Sequence, residues 1–223
     1  MNERFASRFT GGAFVIAALL LWLGWALLPV RIGTFFEPDV FARIQEQFRF
    51  WIWMYRFHLF GMILGVAALV ALAALVADLP ARVVLWPGVV IASAGLLVGA
   101  LGEAFYYHHG AWGSLELADK SAADAAQFVA NLRVDTEYVT CLVRFGRVFG
   151  GLGLVLVGWS LWQWRLLPRW VAALAGLIGL AAMALTMGLP DDLHLYQPVF
   201  HAFTIWLLAT GVLITGRALP QHR

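Results

Sequence analysis

Charge is scarce in this sequence and cysteine is nearly absent. Of the 223 residues only 13% are charged and 62% are hydrophobic, whereas soluble domains carry about 25% charged residues. So little polar surface cannot cover a globule in water, which excludes an ordinary soluble fold. The single cysteine, Cys141, excludes an internal disulfide and every Cys-x-x-Cys metal or haem-attachment motif. A net charge of +2 is too small for a nucleic-acid footprint. There is no HExxH, no His-x3-His pair and no EF-hand loop. Linkers and low-complexity stretches are missing too, so residues 1–223 read as a single polytopic membrane domain.

What the chain has in abundance is long uncharged apolar runs. They cover Gly11–Val30, Leu59–Ala77, Val83–Gly102, Val148–Trp164, Trp170–Pro190 and Leu195–Gly216. Each is close to the ~20 residues with which a helix crosses ~30 Å of hydrocarbon. The runs are continuous rather than alternating, and lipid admits only helices or closed barrels. The expected fold class is therefore an all-α integral membrane protein. Its six transmembrane helices form one bundle, at about 12–30, 52–77, 83–107, 138–164, 168–188 and 197–216. The first run has a basic start, Arg4 and Arg8, but no small-x-small cleavage site after it, so it reads as a retained span.

Short basic connections set the expected orientation. With the N-terminus inside, Arg4, Arg8, Arg82, Arg165, Arg169, Arg217 and Arg223 fall on the inner side, against Glu3 and Asp78. Short, arginine-rich loops on one side are the positive-inside signature. The sequence thus implies a bacterial cytoplasmic (inner) membrane protein with both termini cytoplasmic. Tryptophans flank the runs, Trp51, Trp53 and Trp112 outside and Trp86, Trp162, Trp164 and Trp170 inside, as in an interfacial belt.

The two longer outer connections are patterned. In "EPDVFARIQEQFRFW", Phe41, Ile44, Phe48 and Trp51 recur at helical spacing, and Pro38 suits a first turn. In "SAADAAQFVANLR", Ser121 and Asp124 form a capping-box pattern ahead of the stripe Ala125, Phe128, Val129 and Leu132. Both predict short amphipathic helices lying along the interface. The second, fourth and sixth spans open with "YRFHLFG", "VRFGRVFG" and "PVFHAFT", a likeness that hints at three duplicated hairpins. The stretch "LLPRWVAALAGLIGLAAMAL" followed by "IWLLATGVLITGR" resembles the C-terminal part of small six-span bacterial membrane proteins of unknown function. That resemblance covers the last third of the chain and implies the architecture only.

Ionisable groups crowd one end of the predicted bundle. His58, Glu103, His108, His109, His201, Arg144 and Arg147 all fall at or just beyond the outer ends of their helices. Charge inside a span costs at least ~2.5 kcal/mol on insertion scales, so retained groups should pair, bind something or face water. Neutral imidazole ligates zinc, copper and iron, and haem b takes histidines from two helices. His58 and His201 are therefore candidate axial or first-shell ligands. Glu103, His108 and His109 are further metal ligands or proton carriers, the His-His pair needing a bent backbone near Gly110. Arg144 and Arg147 are candidate cofactor-binding residues for propionates, a headgroup phosphate or a carboxylate. Each could instead be an amphipathic anchor or an internal ion pair. Gly146, Gly150, Gly151 and Gly153 on the fourth span, with Gly95, Gly99 and Gly102 on the third, allow close helix packing or a flat ring such as a porphyrin or quinone.

Three functions follow as expectations. The first is a membrane protein with a histidine-rich haem b or transition-metal (copper, zinc or iron) site near the outer face, redox-active or Lewis-acidic. The second is a transporter of a small solute or lipid. The third is an accessory subunit of a larger membrane complex. The lipid bilayer is the obligatory partner, with a small-molecule or quinone-like ligand compatible and nucleic acid excluded.

Overall fold

The structure, a computed structural model, describes residues 3–26, 38–76, 79–165, 167–189 and 193–216. Eight α-helices and one π-helical turn account for nearly all of them: α1 Glu3–Ala26, α2 Pro38–Glu46, α3 Phe48–Leu75, α4 Leu79–Tyr106, a π-turn Tyr107–Trp112, α5 Gly113–Glu116, α6 Ala122–Trp164, α7 Arg169–Gly188 and α8 Leu193–Gly216. Six of these, α1, α3, α4, α6, α7 and α8, are long and apolar enough to cross a membrane. The chain is an all-α, multi-pass membrane protein.

The spans form a closed ring in chain order, α1–α3–α4–α6–α7–α8, with α8 packing back on α1. Neighbours run antiparallel: Gly11 of α1 meets Gly211 of α8, Gly95 of α4 meets Gly146 of α6, and Gly151 of α6 meets Gly179 of α7. One continuous core fills the ring, with Phe14, Leu69, Leu85, Val157, Leu161 and Trp206 fully buried. The indole nitrogen of Trp206 donates to the Val171 carbonyl at 3.0 Å, tying α8 to α7. Below, the proximal end of the ring is the one where α1 begins, and the distal end is the one that α1 reaches at Ala26.

At the distal end the structure departs from the expected interfacial helices. The stretch after Ser121 is not a separate helix. It is the first part of α6, which runs unbroken for 43 residues, about 64 Å at 1.5 Å per residue. That is twice the ~30 Å hydrocarbon thickness, so its polar first third stands beyond the membrane as a continuation of the span. Ser121 does cap it, its hydroxyl accepting from the Asp124 amide while the Asp124 carboxylate accepts from the Ser121 amide. α2 does form where expected, but its apolar stripe lies on protein rather than lipid. Phe41 packs with Leu132 and Phe128 of α6, and Ile44 with Trp51, Tyr55 and Ala111. Trp51 is accordingly a core residue, 1% exposed, and leaves the interfacial belt, whereas Trp53, Trp86, Trp162 and Trp170 are exposed as a belt requires. The distal end is thus a small folded cap with two apolar clusters of its own.

Candidate functional site

His58 is the centre of the distal polar region. Its ring is carried by α3, is 4% exposed, and sits where α1, α3, α4 and α8 come together. From α4, Glu103 brings Oε1 to 3.5 Å from His58 Nδ1, an ion-pair distance slightly longer than a hydrogen bond. The other ring nitrogen, Nε2, is buried without a hydrogen-bond partner among the described residues. From α1, Gly24 supplies the space for the ring: a Cβ there would lie 2.5 Å from Cδ2 and 2.8 Å from Nε2. Trp25 and Phe200 complete the surround, their ring centres 6.4 and 5.8 Å from the imidazole.

The two expected histidine ligands come to the same place by different routes. His201 of α8 packs edge-on against Trp25 at 5.9 Å, and the same indole contacts His58. No ring contact among the described residues joins His58 to His201 directly. Trp25 joins them. The sequence reading missed Gly24 and Trp25, since a glycine and a tryptophan within one more apolar run carry no distinguishing pattern.

The remaining candidates disperse. His108 and His109 lie in the π-turn, which supplies the bend their spacing required, but their rings pack on each other at 4.8 Å, and His109 packs on Phe105 at 4.7 Å. Among the described residues no three His, Cys, Asp or Glu side chains gather to hold a metal. The set His58, Glu103, His108, His109 and His201 is therefore not assembled as one metal centre. The π-turn carries the two histidines into the cap, beyond the His58–Glu103 pair. Arg144 donates from Nη2 to the carbonyls of Thr186 at 2.6 Å and Leu189 at 3.3 Å. It closes the C-terminal end of α7, where the helix dipole favours a cation. Arg147 stacks over Tyr196 of α8 at 4.5 Å. Neighbouring backbone fills the columns at Gly95, Gly146, Gly151 and Gly153, while Gly99 and Gly102 face the Met62 and Val143 side chains. Gly95 abuts Gly146 and Gly150, Gly153 abuts Ala92, and Gly151 abuts Gly179. A porphyrin or quinone has no room between the helices at these backbone contacts.

The two Phe-His-x-Phe stretches acquire distinct roles in this geometry. Phe200 covers His58 and Trp25, at 5.8 and 5.2 Å, so the sixth span's motif serves the second span's histidine. Near the pair, Tyr55 is buried on α3, and the Tyr106 hydroxyl lies 3.3 Å from Thr140 Oγ1 on α6. A polar contact thus joins α4 to α6 near the distal end. Comparison of the chain with protein-family models, with curated proteins and with solved structures finds no match.

Proposed function

We propose that the protein is a membrane transporter of a small solute or lipid, in which proton exchange at His58–Glu103 biases the seam between α3 and α4. One observation carries this reading. The pair bridges two helices that meet through flexible side chains: a Cβ at Gly65 would touch only Leu96 Cδ1, and one at Gly99 only the end of Met62. Between α4 and α6, α6 and α7, and α1 and α8, by contrast, backbone meets backbone. Imidazole and carboxylate can both take up and release a proton, and ionisable pairs within spans mark proton relays and substrate paths. Protonation of either partner changes the attraction across the seam, which is a two-state bias of the kind alternating access requires. The test is uptake by proteoliposomes holding a pH-sensitive dye, under an imposed gradient, across a panel of cations, organic anions and short-chain lipids. Solute-dependent proton movement that is lost in Glu103→Gln and in His58→Ala is expected. A wild-type protein that moves no proton with any solute ends the proposal.

The haem b or transition-metal reading has its own observation in favour. A carboxylate beside Nδ1 is the usual means of orienting an imidazole whose Nε2 ligates a metal, and His58 has that arrangement. In the present packing, however, the Nε2 edge faces the Gly24 backbone, so a ligand there needs α1 to move aside. A stoichiometric Soret band or bound metal that disappears in the His58→Ala, His201→Ala double variant would favour the cofactor over transport. The proposal also includes a bacterial inner membrane with cytoplasmic termini, supported by the arginines of the proximal turns, Arg82, Arg165 and Arg169.

A further inference from the structure

One face of α3 is left uncovered by the bundle, and it is not uniformly apolar. Arg49, Trp53, Arg56, Phe60, Ile63 and Val70 follow at intervals of three, four and seven residues, which puts them on a single stripe. Its inner part is open hydrocarbon surface: Phe60 is 61% exposed, Ile63 49% and Val70 41%. At its distal end lies a groove of about 390 Å³ lined by Arg49, Phe50, Trp53 and Phe57.

Among the described residues the two arginines on this stripe have no acidic partner. Arg56 is held in place by neutral groups: its guanidinium stacks over Trp53 at 5.1 Å, and Nε and Nη2 donate to the Tyr107 hydroxyl at 3.3 and 3.2 Å. Among the described residues neither Arg49 nor Arg56 has a carboxylate in ion-pair reach. Arg56 precedes the uncharged run at Leu59 by three residues, about 4.5 Å of helix, which is headgroup depth. Two cations at that depth without a carboxylate partner among the described residues, above an exposed aromatic and aliphatic stripe, match an anion joined to a hydrocarbon chain.

We propose that this face seats one anionic phospholipid. Arg56, fixed by Trp53 and Tyr107, and Arg49, free to swing, hold the phosphate. An acyl chain lies along Phe60, Ile63 and Val70, with Trp53 at the junction of headgroup and chain. This seat is separate from the His58–Glu103 pair.

Native mass spectrometry of the full-length protein in detergent, titrated with phosphatidylglycerol, phosphatidylcholine or inorganic phosphate, tests it. The wild type is expected to retain one phosphatidylglycerol at concentrations at which phosphatidylcholine is not retained. Arg49→Gln should weaken retention at least threefold and the Arg49→Gln, Arg56→Gln pair at least tenfold, whereas Arg133→Gln, which removes a cation from the polar part of α6, should leave it unchanged. Arg49 is exposed and its side chain has no hydrogen bond or ion pair among the described residues, so its single variant keeps the proposal falsifiable even if the double variant is unstable. Equal retention of both lipids, equal loss in Arg133→Gln, or displacement of the lipid by millimolar inorganic phosphate would each overturn the proposal.

Discussion

The interfaces among α4, α6 and α7 and the seam between α3 and α4 are built by opposite means. In the first, glycines bring backbone against backbone: Gly95 onto Gly146 and Gly150, Gly153 onto Ala92, Gly158 onto the Ala172 carbonyl. α1 and α8 are joined in the same way through Gly11 and Gly211. At the α3–α4 seam the glycines meet only side-chain ends, and the one ion pair among the described residues is His58–Glu103. In lipid there is no hydrophobic drive between helices, so packing contact and polar contact are what remain to hold them together. A joint made of many backbone contacts has one good geometry. A joint made of side-chain ends and one ionisable pair tolerates several, and a proton can shift the balance between them.

The largest expected effect comes from breaking the rigid side of this comparison. A Cβ on Gly153 would fall against the Ala92 backbone, with Ala92 Cα at 2.6 Å. Gly153→Val should therefore force α4 and α6 apart and destabilise the protein by about 3 kcal/mol or more. The thermal midpoint in detergent would fall by many degrees, or the protein would fail to be recovered. Gly150→Ala is the matched control within one turn, because a Cβ there meets nothing within 4 Å. It should be neutral or slightly stabilising. Equal losses in both would show that the close approach at Gly153 is not what governs this interface.

Next in size is the pocket that Gly24 makes for His58. Gly24→Ala places a methyl 2.5 Å from the imidazole Cδ2. The ring must turn, which costs about 1–3 kcal/mol and draws Nδ1 away from Glu103. In the double variant with His58→Ala the added methyl meets empty space. The two changes should then be strongly non-additive, with a coupling of about 1 kcal/mol or more. Additive melting-point shifts would remove Gly24 from any role in placing the histidine. A smaller effect is expected from Arg144→Gln. It leaves the Thr186 and Leu189 carbonyls without their charged donor and should cost about 1–2 kcal/mol. Hydrogen exchange should rise at the end of α7 and not at the His58 seam.

How much of this could be read from the sequence differs between the two sides in the same way. The six spans, Pro38 opening α2 and the Ser121–Asp124 cap follow from composition and local spacing, and the structure has them. Hydropathy stops counting α6 at about residue 138 because "VDTE" is polar, yet helix continuity depends on backbone hydrogen bonds, which polar residues also make. The crowding of ionisable groups at one end was legible. Their partners were not: Glu103 pairs with His58 across 45 positions, and Arg144 reaches carbonyls on α7. A carbonyl acceptor leaves no trace in residue identity. The glycine columns were visible too, but spacing cannot say whether a backbone or a flat ring fills the space. Ala92 and Gly179, both beyond any local motif, decide it.

The smallest expected effect is the one that most sharpens the comparison. Gly65→Ala and Gly99→Ala lie on the seam, one on each helix, and a Cβ at either would come 3.3 Å from its nearest neighbour, Leu96 Cδ1 or Met62 Sδ. Those atoms end flexible side chains, and methionine in particular adapts to irregular space. Alanine is also the better helix former by about 1 kcal/mol. The two terms oppose, so each variant should stay within about 0.5 kcal/mol of the parent in stability. If the seam moves in the working cycle, however, the same variants should still alter solute-dependent proton movement, because the added methyls narrow the range of side-chain arrangements across it. Unchanged stability with changed transport is the outcome that separates a working joint from a merely loose one. Unchanged stability with unchanged transport would leave the seam as packing, and with it His58–Glu103 as an ordinary buried pair.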